Sequence, residues 1–135
     1  MAKIFLDENL SHEMTAPLGA IFKAHRFKAC RGEGLVGYYD EPLFEELGAR
    51  DFGAIITLDA KQLENAGERE GLRQAGLHWI GLTQPAGSGL AVLAGLAAMV
   101  IAGLPHVLDD WRTEPHIYRL SSGVVNYSRP TVERL

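Results

Sequence analysis

Residues 2–10, Ala2-Lys3-Ile4-Phe5-Leu6-Asp7-Glu8-Asn9-Leu10, pass directly from an apolar run into an acidic turn. The adjacent apolar residues 4–6 are typical of a strand that is buried on both faces of a parallel sheet. A carboxylate directly after such a strand is costly unless it is paired or hydrated. We therefore predict the first strand over Ala2–Leu6, and Asp7 becomes the first candidate for chemistry.

Strands and helices alternate along the rest of the chain. Apolar and β-branched runs predict three further strands, at His25–Cys30, Gly53–Leu58 and Leu77–Leu82. Helical spacing and helix start signals predict four helices, at 11–22, 40–50, 60–75 and 89–104. This order predicts one α/β domain over residues 1–135, in which helices cover both faces of a mainly parallel sheet in three layers.

Local signals refine these bounds. Ser11 is the predicted N-cap of the first helix, and Pro17 indicates a kink or a later start. Gly67 and Gly71 are expected to interrupt the helix over 60–75. The tail predicts a C-terminal β-hairpin, with strands at His116–Ser121 and Val124–Tyr127 around a Ser122-Gly123 turn.

Composition excludes several classes of protein. A net charge of -4 argues against a surface devoted to gripping phosphates, so any nucleic-acid contact needs a local basic patch or a metal bridge. Cys30 is the only cysteine, which excludes an internal disulfide and a cysteine-rich metal site. The N-terminus lacks a basic region followed by a long apolar run. Together these features lead us to expect a cytoplasmic location.

The stretch Gly89–Leu104 is uncharged and apolar. It is shorter than the roughly 20 residues that a membrane helix needs, so we predict a buried helix and no membrane span. Its many small residues suit packing inside the domain or against a second copy, which leaves a homodimer open. A short helical turn is expected to follow at Val107–Arg112.

Acidic residues occur where several of these elements begin or end. Asp7 follows the first strand, Asp59 follows the third, and Asp40-Glu41 opens a helix after a glycine-rich loop. Ligands of open α/β sheets bind beyond the carboxyl ends of the strands. Carboxylates gathered there suit Mg²⁺ or Mn²⁺, which can activate water and stabilise charge on a phosphate. Spacing alone leaves open a second interpretation, in which Asp40 and Asp59 only cap helices.

Three motifs around these acids resemble those of small PIN-like domains related to the VapC toxin ribonucleases. Leu6-Asp7-Glu8-Asn9-Leu10 is similar to the opening signature of that family. The stretch from Gly34 to Asp40-Glu41 resembles its glycine-rich loop and helix start, and Thr57-Leu58-Asp59 resembles its Thr-x-Asp strand end. The resemblance covers roughly residues 3–83, with the motifs in the family's order.

This resemblance implies an α/β/α fold and metal-dependent cleavage of RNA by an endoribonuclease. By position, the catalytic carboxylates would be Asp7, Asp40 or Glu41, and Asp59, with Asp7, Asp40 and Asp59 as the ligands of Mg²⁺ or Mn²⁺. It also implies that the chain is the toxin of a bacterial toxin–antitoxin pair. Its partners would then be an RNA substrate and a cognate antitoxin protein.

The resemblance assigns supporting roles as well, and it fails at one position. Neighbouring polar side chains would orient the first carboxylate, a water molecule or a ligand: Glu8, Asn9 and Thr57. Relatives usually continue Thr-x-Asp-x-Asp-Phe, whereas this chain has Lys61 at the second Asp and Gln62 after it. Lys61 would pair with Asp59, neutralise a bound phosphate or weaken metal binding, and these three roles remain open.

A basic cluster supplies candidate contacts to an RNA backbone, namely Arg26, Lys28 and Arg31. Strand alternation predicts that Arg26 and Lys28 share one face. The alternative is a solvated edge strand that its charges protect from pairing with another chain.

Two other functions are compatible with acids at strand ends. A non-catalytic module of the same fold would bind RNA or a protein partner without cleavage, and Lys61 and the acidic net charge favour it. A response-regulator-like phosphoacceptor would also use such acids, but the helix order and the position of Lys61 disfavour it.

Overall fold

In the computed structural model, which describes residues 1–121 and 133–134, five parallel strands form one sheet in the order β2-β1-β3-β4-β5. The strands are β1 Lys3–Leu6, β2 Arg26–Ala29, β3 Ala54–Thr57, β4 His78–Gly81 and β5 Ile117–Arg119. Every residue of β3 and β4 is buried, as expected for central strands that are covered on both faces. Each of the four strands predicted before residue 83 contains an observed strand.

Helices lie on both faces of this sheet. A 3₁₀ turn at His12–Met14 precedes six helices: α1 Thr15–Ile21, α2 Cys30–Glu33, α3 Asp40–Ala49, α4 Lys61–Glu64, α5 Ala66–Ala75 and α6 Leu90–Asp109. One core packs α1 and α6 against side chains such as Ile4 and Ile56, and the other packs α3 and α5 against side chains such as Phe5 and Ile55. The predicted α/β class with a parallel sheet is therefore confirmed, and the placement of the helices is compatible with the predicted three layers.

Two helix boundaries differ from the prediction. The break in the 60–75 segment lies at Asn65, which is extended and caps α5 by accepting the Glu68 N–H at 3.0 Å, while Gly67 and Gly71 lie inside α5. Asparagine interrupts a helix because its side chain competes for backbone donors. At the first helix, Ser11 caps the 3₁₀ turn, and Pro17 falls in the first turn of α1, where proline is tolerated.

The C-terminal hairpin is not observed in the described part of the chain. The predicted strand His116–Ser121 contains β5, but β5 pairs with β4 in parallel. A parallel pair needs a long crossover, and α6 supplies it. The predicted second strand, Val124–Tyr127, and the Ser122-Gly123 turn lie outside the described residues.

Helix α6 continues past the predicted end at Leu104 to Asp109 and absorbs most of the expected separate turn. It has 20 residues, so the length argument against a membrane span is wrong. Its most apolar window has a mean hydropathy of 2.1 and is 39% buried, so length and composition alone would let it cross a membrane. A single such helix is weak evidence, because core helices of soluble proteins share this composition. Here Leu96, Met99 and Val100 pack in the core against the sheet, as predicted.

Candidate functional site

The chain changes direction across the sheet at β1, and this opens a crevice at one edge. Strand β1 pairs with β2 on one side and with β3 on the other. In doubly wound sheets, ligands bind at such a switch point, outside the carboxyl ends of the strands. Asp7 follows β1, and Thr57 ends β3. The Thr57 hydroxyl donates to Asp7 Oδ2 at 2.8 Å, so the predicted meeting of these two strand ends is observed.

Asp7 is a buried carboxylate, only 5% exposed. Besides the Thr57 hydroxyl, it accepts the backbone N–H of Glu8 at 2.8 Å and the side-chain amide of Gln62 at 3.1 Å. Burial raises the pKa of Asp7 above 3.8, these hydrogen bonds oppose that rise, and the charge of Asp40 adds to it. No Lys, Arg or His forms an ion pair with Asp7 in the described part of the chain.

Gln62 joins the two carboxylates, and we did not predict it as a site residue. Its side chain is fully buried, and its amide nitrogen donates to Asp7 Oδ2 and to Asp40 Oδ1, each at 3.1 Å. The indole N–H of Trp79 donates to Gln62 Oε1 at 3.1 Å. Both polar atoms of the Gln62 side chain therefore have partners. The signal in the sequence is an amide at the position where the resembled family carries Phe.

Asp40 is the first residue of α3, and it is half-buried. The N-cap of α3 is Tyr39, which makes no capping bond with its side chain, so the interpretation of Asp40 as the N-cap is wrong. Its carboxylate faces Gln62 instead. Glu41 is exposed and lies against Gly67 of α5, where a β-carbon would overlap its carboxylate. Asp40 rather than Glu41 is thus linked to Asp7.

Glu68 adds a further carboxylate that we did not predict. Asn65 fixes its backbone through the α5 cap, and its carboxyl group lies close enough to Asp40 for the two acids to interact electrostatically. Partial burial raises the pKa of Glu68, and Asp40, Asp59 and Glu41 raise it further. Asn-x-x-Glu at 65–68 is a helix-start pattern in which the Glu side chain normally reaches back to the cap. Here that side chain turns to Asp40, which the pattern does not reveal.

The Thr57 hydroxyl organises the turn after β3. It accepts the Asn9 side-chain amide at 3.1 Å and the backbone N–H of Asp59 at 3.0 Å. Asn9 also accepts the N–H of Leu58 at 3.2 Å, so it ties the turn after β1 to the turn after β3. Asp59 Oδ1 accepts the backbone N–H of Lys61 at 3.1 Å, although the N-cap of α4 is Ala60 and not Asp59. The Lys61 side chain is exposed and forms no ion pair with Asp59.

Glu8 and Cys30 line the cavity beside Asp7, which has a volume of about 490 Å³. The Glu8 carboxylate is exposed and accepts the N–H of Gly37 at 3.3 Å, which holds the glycine-rich loop against the first turn. Burial, then the charges of Asp7 and Glu8, raise the pKa of Cys30 to about 11. The Cys30 thiol therefore stays protonated at neutral pH and is a poor nucleophile.

The three predicted basic residues lie at the open edge of the sheet. Arg26 and Lys28 share the exposed face of β2, as strand alternation predicts, and β2 is an edge strand. Lys28 and Arg31 line a second cavity of about 230 Å³, whereas Arg26 lines neither cavity.

The donor chemistry of the site fits a hard divalent cation. Among residues 1–121 and 133–134, no group of three or more His, Cys, Asp or Glu side chains is arranged to hold a metal ion. The carboxylates of Asp7, Asp40 and Glu68 are nevertheless the ligand type that Mg²⁺ and Mn²⁺ prefer. Asp7 is also a buried anion without a cationic partner in this part of the chain. The Gln62 amide makes the contacts to Asp7 and Asp40 that such an ion would otherwise make.

In comparisons with known proteins, no protein-family model, no curated protein and no solved structure matches the chain. The resemblance to PIN-like domains therefore rests on the three sequence motifs alone.

Proposed function

We propose that this chain is a metal-dependent endoribonuclease of the PIN-like type. The observation that carries the proposal is the pair of carboxylates, Asp7 and Asp40, joined by one buried amide at the switch point of a parallel sheet. A buried carboxylate beside a second one, with neutral donors only, suits a divalent cation that neutralises both. The choice of RNA as substrate is supported by the resemblance of the motifs around these acids.

In this proposal, Asp7 and Asp40 would hold Mg²⁺ or Mn²⁺ together with Glu68, whose carboxylate would have to move toward them, because no three such groups are already arranged around one point in the described residues. When bound, the ion supplies Lewis-acid activation of water and of an RNA phosphate. Asp59 and Glu41 add negative charge near Glu68. Asp59 was predicted as a direct ligand, and its bond to the Lys61 N–H supports a rim position instead.

The surrounding residues orient the first ligand. Thr57 and the Glu8 N–H fix the two oxygens of Asp7, and Asn9 fixes Thr57. Such outer contacts normally set the orientation and basicity of metal ligands. Lys61 is exposed near the acids, where its charge can neutralise an RNA phosphate.

Asp7→Asn tests this assignment. We expect purified wild-type chain to cleave a single-stranded RNA in Mg²⁺ or Mn²⁺, to lose that activity in EDTA, and to lose about 100-fold or more in rate on substitution. Asp109→Asn removes the same charge from the exposed end of α6 and should leave the rate unchanged. Undiminished cleavage by the Asp7→Asn variant, or full cleavage in EDTA, would show that the site is assigned wrongly.

A second candidate function, a module that binds RNA or a protein partner without cleavage, is favoured by one specific observation. The Gln62 amide donates to both carboxylates and is itself held by Trp79, so the pair is bridged without any ion. A chain that had given up metal binding would stabilise its buried acids in this way.

Calorimetry separates the two functions. The nuclease should bind Mn²⁺ in a manner that Asp7→Asn abolishes. The non-cutting module should bind neither Mg²⁺ nor Mn²⁺ while remaining folded, and Gln62→Glu should then create Mn²⁺ binding, because it replaces the bridging amide with a carboxylate beside Asp7 and Asp40. Gln84→Glu adds the same charge in the exposed loop after β4 and should create none. Wild-type Mn²⁺ binding that survives Asp7→Asn would contradict both accounts.

The biological setting proposed for this activity is the toxin half of a bacterial toxin–antitoxin pair, acting in the cytoplasm. An antitoxin protein would be its partner, and a homodimer remains part of the proposal. A small antitoxin-like reading frame beside this one would support the setting, and its absence would count against it.

A further inference from the structure

Two adjoining cavities form one cleft from Asp7 to the edge strand. The inner cavity, of about 490 Å³, is lined by Asp7 and also by His12, Ala29 and Arg31. The outer cavity, of about 230 Å³, shares those last three residues and adds Lys28. A ligand that reaches the proposed site along this cleft therefore passes both cations.

The charge of the cleft changes along its length. Lys28 and Arg31 are exposed and form no ion pair within the described part of the chain. Glu33 is the acidic residue in the lining of the outer cavity, and Arg50 pairs with it at 3.2 Å. The outer cleft therefore presents two uncompensated cations, and the inner cleft presents the buried carboxylate.

The glycine-rich loop carries two exposed aromatic side chains directly before Asp40. Val36 lines the inner cavity, and the Gly37 N–H is bonded to Glu8. Tyr38 and Tyr39 follow, with exposures of 42% and 85%. Tyr39 directly precedes Asp40, the carboxylate that Gln62 links to Asp7. A large aromatic ring left in water beside a polar site is a candidate contact for a ligand with a flat apolar face.

We propose that Tyr39 stacks on a base of the bound RNA, and that Lys28 and Arg31 bind phosphates of the same strand. Proteins that bind single strands combine cations that follow the backbone with aromatic rings on which bases stack. Both elements occur here: the cations line the cavities that lead to Asp7, and the exposed Tyr39 directly precedes Asp40. The inference rests on the proposed function, because it assigns the contacts of the RNA at that site.

The test measures binding separately from cleavage. A fluorescent, short single-stranded RNA is titrated with the Asp7→Asn chain in EDTA and followed by fluorescence anisotropy. Adding Tyr39→Ala should weaken binding at least about fivefold, and Tyr39→Phe, which keeps the ring, should retain it. Circular dichroism confirms that each variant is folded.

The cations are tested by salt dependence. Lys28→Ala and Arg31→Ala should each weaken RNA binding and lower the slope of log affinity against log salt by about 0.7. Lys23→Ala is the matched control, because it removes an exposed lysine that precedes β2, at its opposite end. It should leave the affinity and the slope unchanged.

Failure of this inference differs from failure of the proposed function. Metal-dependent cleavage by the wild type, combined with undiminished RNA binding in Tyr39→Ala and Lys28→Ala, would overturn the inference and keep the nuclease. The expected binding pattern without cleavage in either metal would keep the inference and reject the nuclease. Absence of RNA binding by the parent chain would overturn the inference, and equal weakening by Lys23→Ala and Lys28→Ala would overturn the assignment of the cations.

Discussion

Asp7 accepts three hydrogen bonds, yet its pKa is raised above 3.8 because burial outweighs donors that carry no charge. A carboxyl whose folded pKa lies above its unfolded value favours folding while it is protonated. That contribution is fully present below pH 3.8 and is lost as the pH rises through the folded pKa. Asp7 is therefore a residue that the fold tolerates at neutral pH at a cost in stability, as is common for groups kept for function.

This cost predicts the stability of Asp7→Asn. In EDTA, the free energy of unfolding of the variant minus that of the wild type should increase as the pH rises from 3.8 to 7, because only the wild type must ionise a buried group. The increase amounts to about 1.4 kcal/mol for each tenfold difference in proton affinity between the folded and unfolded carboxyl. Urea unfolding at several pH values measures it. Asp109→Asn, at an exposed position, should show no such trend, and a flat difference for Asp7→Asn would contradict the prediction.

Sequence patterns locate some residues of the site and miss others for a physical reason. Asp7 and Thr57 were predictable as neighbours because adjacent parallel strands bring their carboxyl ends to the same edge of the sheet. Gln62 and Glu68 come from helices, and their directions depend on where α4 stops and α5 starts. We placed that break at glycines, and it lies at Asn65. The directions of side chains on short helices beside such a break cannot be predicted from residue spacing alone.

At the scale of the element, β4 supports the site because its residues Trp79 and Gly81 lie on the same face of the strand. Trp79 and Gly81 are two positions apart, so their side-chain directions coincide. The Trp79 indole lies over Gly81, where a β-carbon would overlap the ring. This position lets the indole N–H reach Gln62, which in turn holds Asp7 and Asp40. The space at Gly81 therefore lets the indole reach Gln62, and Gln62 bonds to both carboxylates.

Gly81→Ala should displace the indole and loosen this chain of bonds. We expect a loss of about 1–3 kcal/mol in the free energy of unfolding, as for other overpacked core positions, together with a changed near-ultraviolet circular dichroism spectrum. Gly19→Ala provides the control: the same substitution in α1 meets nothing within 4 Å and should be neutral or stabilising. An unchanged spectrum and stability in Gly81→Ala would mean that Trp79 does not depend on that space.

Strands were easier to predict than helices in this chain. The apolar runs of β1, β3 and β4 are bounded by polar residues or glycine. Such short, continuous apolar runs are typical of strands that are buried on both faces of a sheet. Helix α6 extends beyond its predicted end at Leu104. It contains Pro105 in its interior and continues to Asp109. The parallel pairing of β5 also follows from that crossover rather than from any local signal in β5.

At the scale of the whole molecule, one buried histidine connects three separate parts of the chain. His78, at the start of β4, is 2% exposed. Its Nε2 donates to the carbonyl of Arg112 at 2.9 Å, and its Nδ1 accepts the backbone N–H of His116 at 3.0 Å. The ring also packs edge-on against Trp111, with centroids 4.5 Å apart. The neutral ring thus ties the segment after α6 and the entry to β5 to the centre of the sheet.

Protonation of His78 should therefore loosen the whole fold. Burial lowers the pKa of His78 below 6.5, the bond to Arg112 opposes this, and the neighbouring His116 adds to it. A depressed folded pKa contributes stability that is present above pH 6.5 and is lost as the pH falls through the folded pKa.

His78→Gln should cost about 1–3 kcal/mol at pH 8, where its two bonds are lost or weakened. The variant should then lose less further stability than the wild type between pH 8 and pH 5, because it has no ring to protonate. Thermal unfolding across that pH range tests this expectation, with His106→Gln on the exposed side of α6 as the control that keeps the wild-type pH dependence. Parallel loss of stability in His78→Gln and the wild type would assign the acid sensitivity to other groups. The segment after α6 would then be joined to the sheet by packing against Trp111 and by the β4–β5 pairing rather than by a titrating ring.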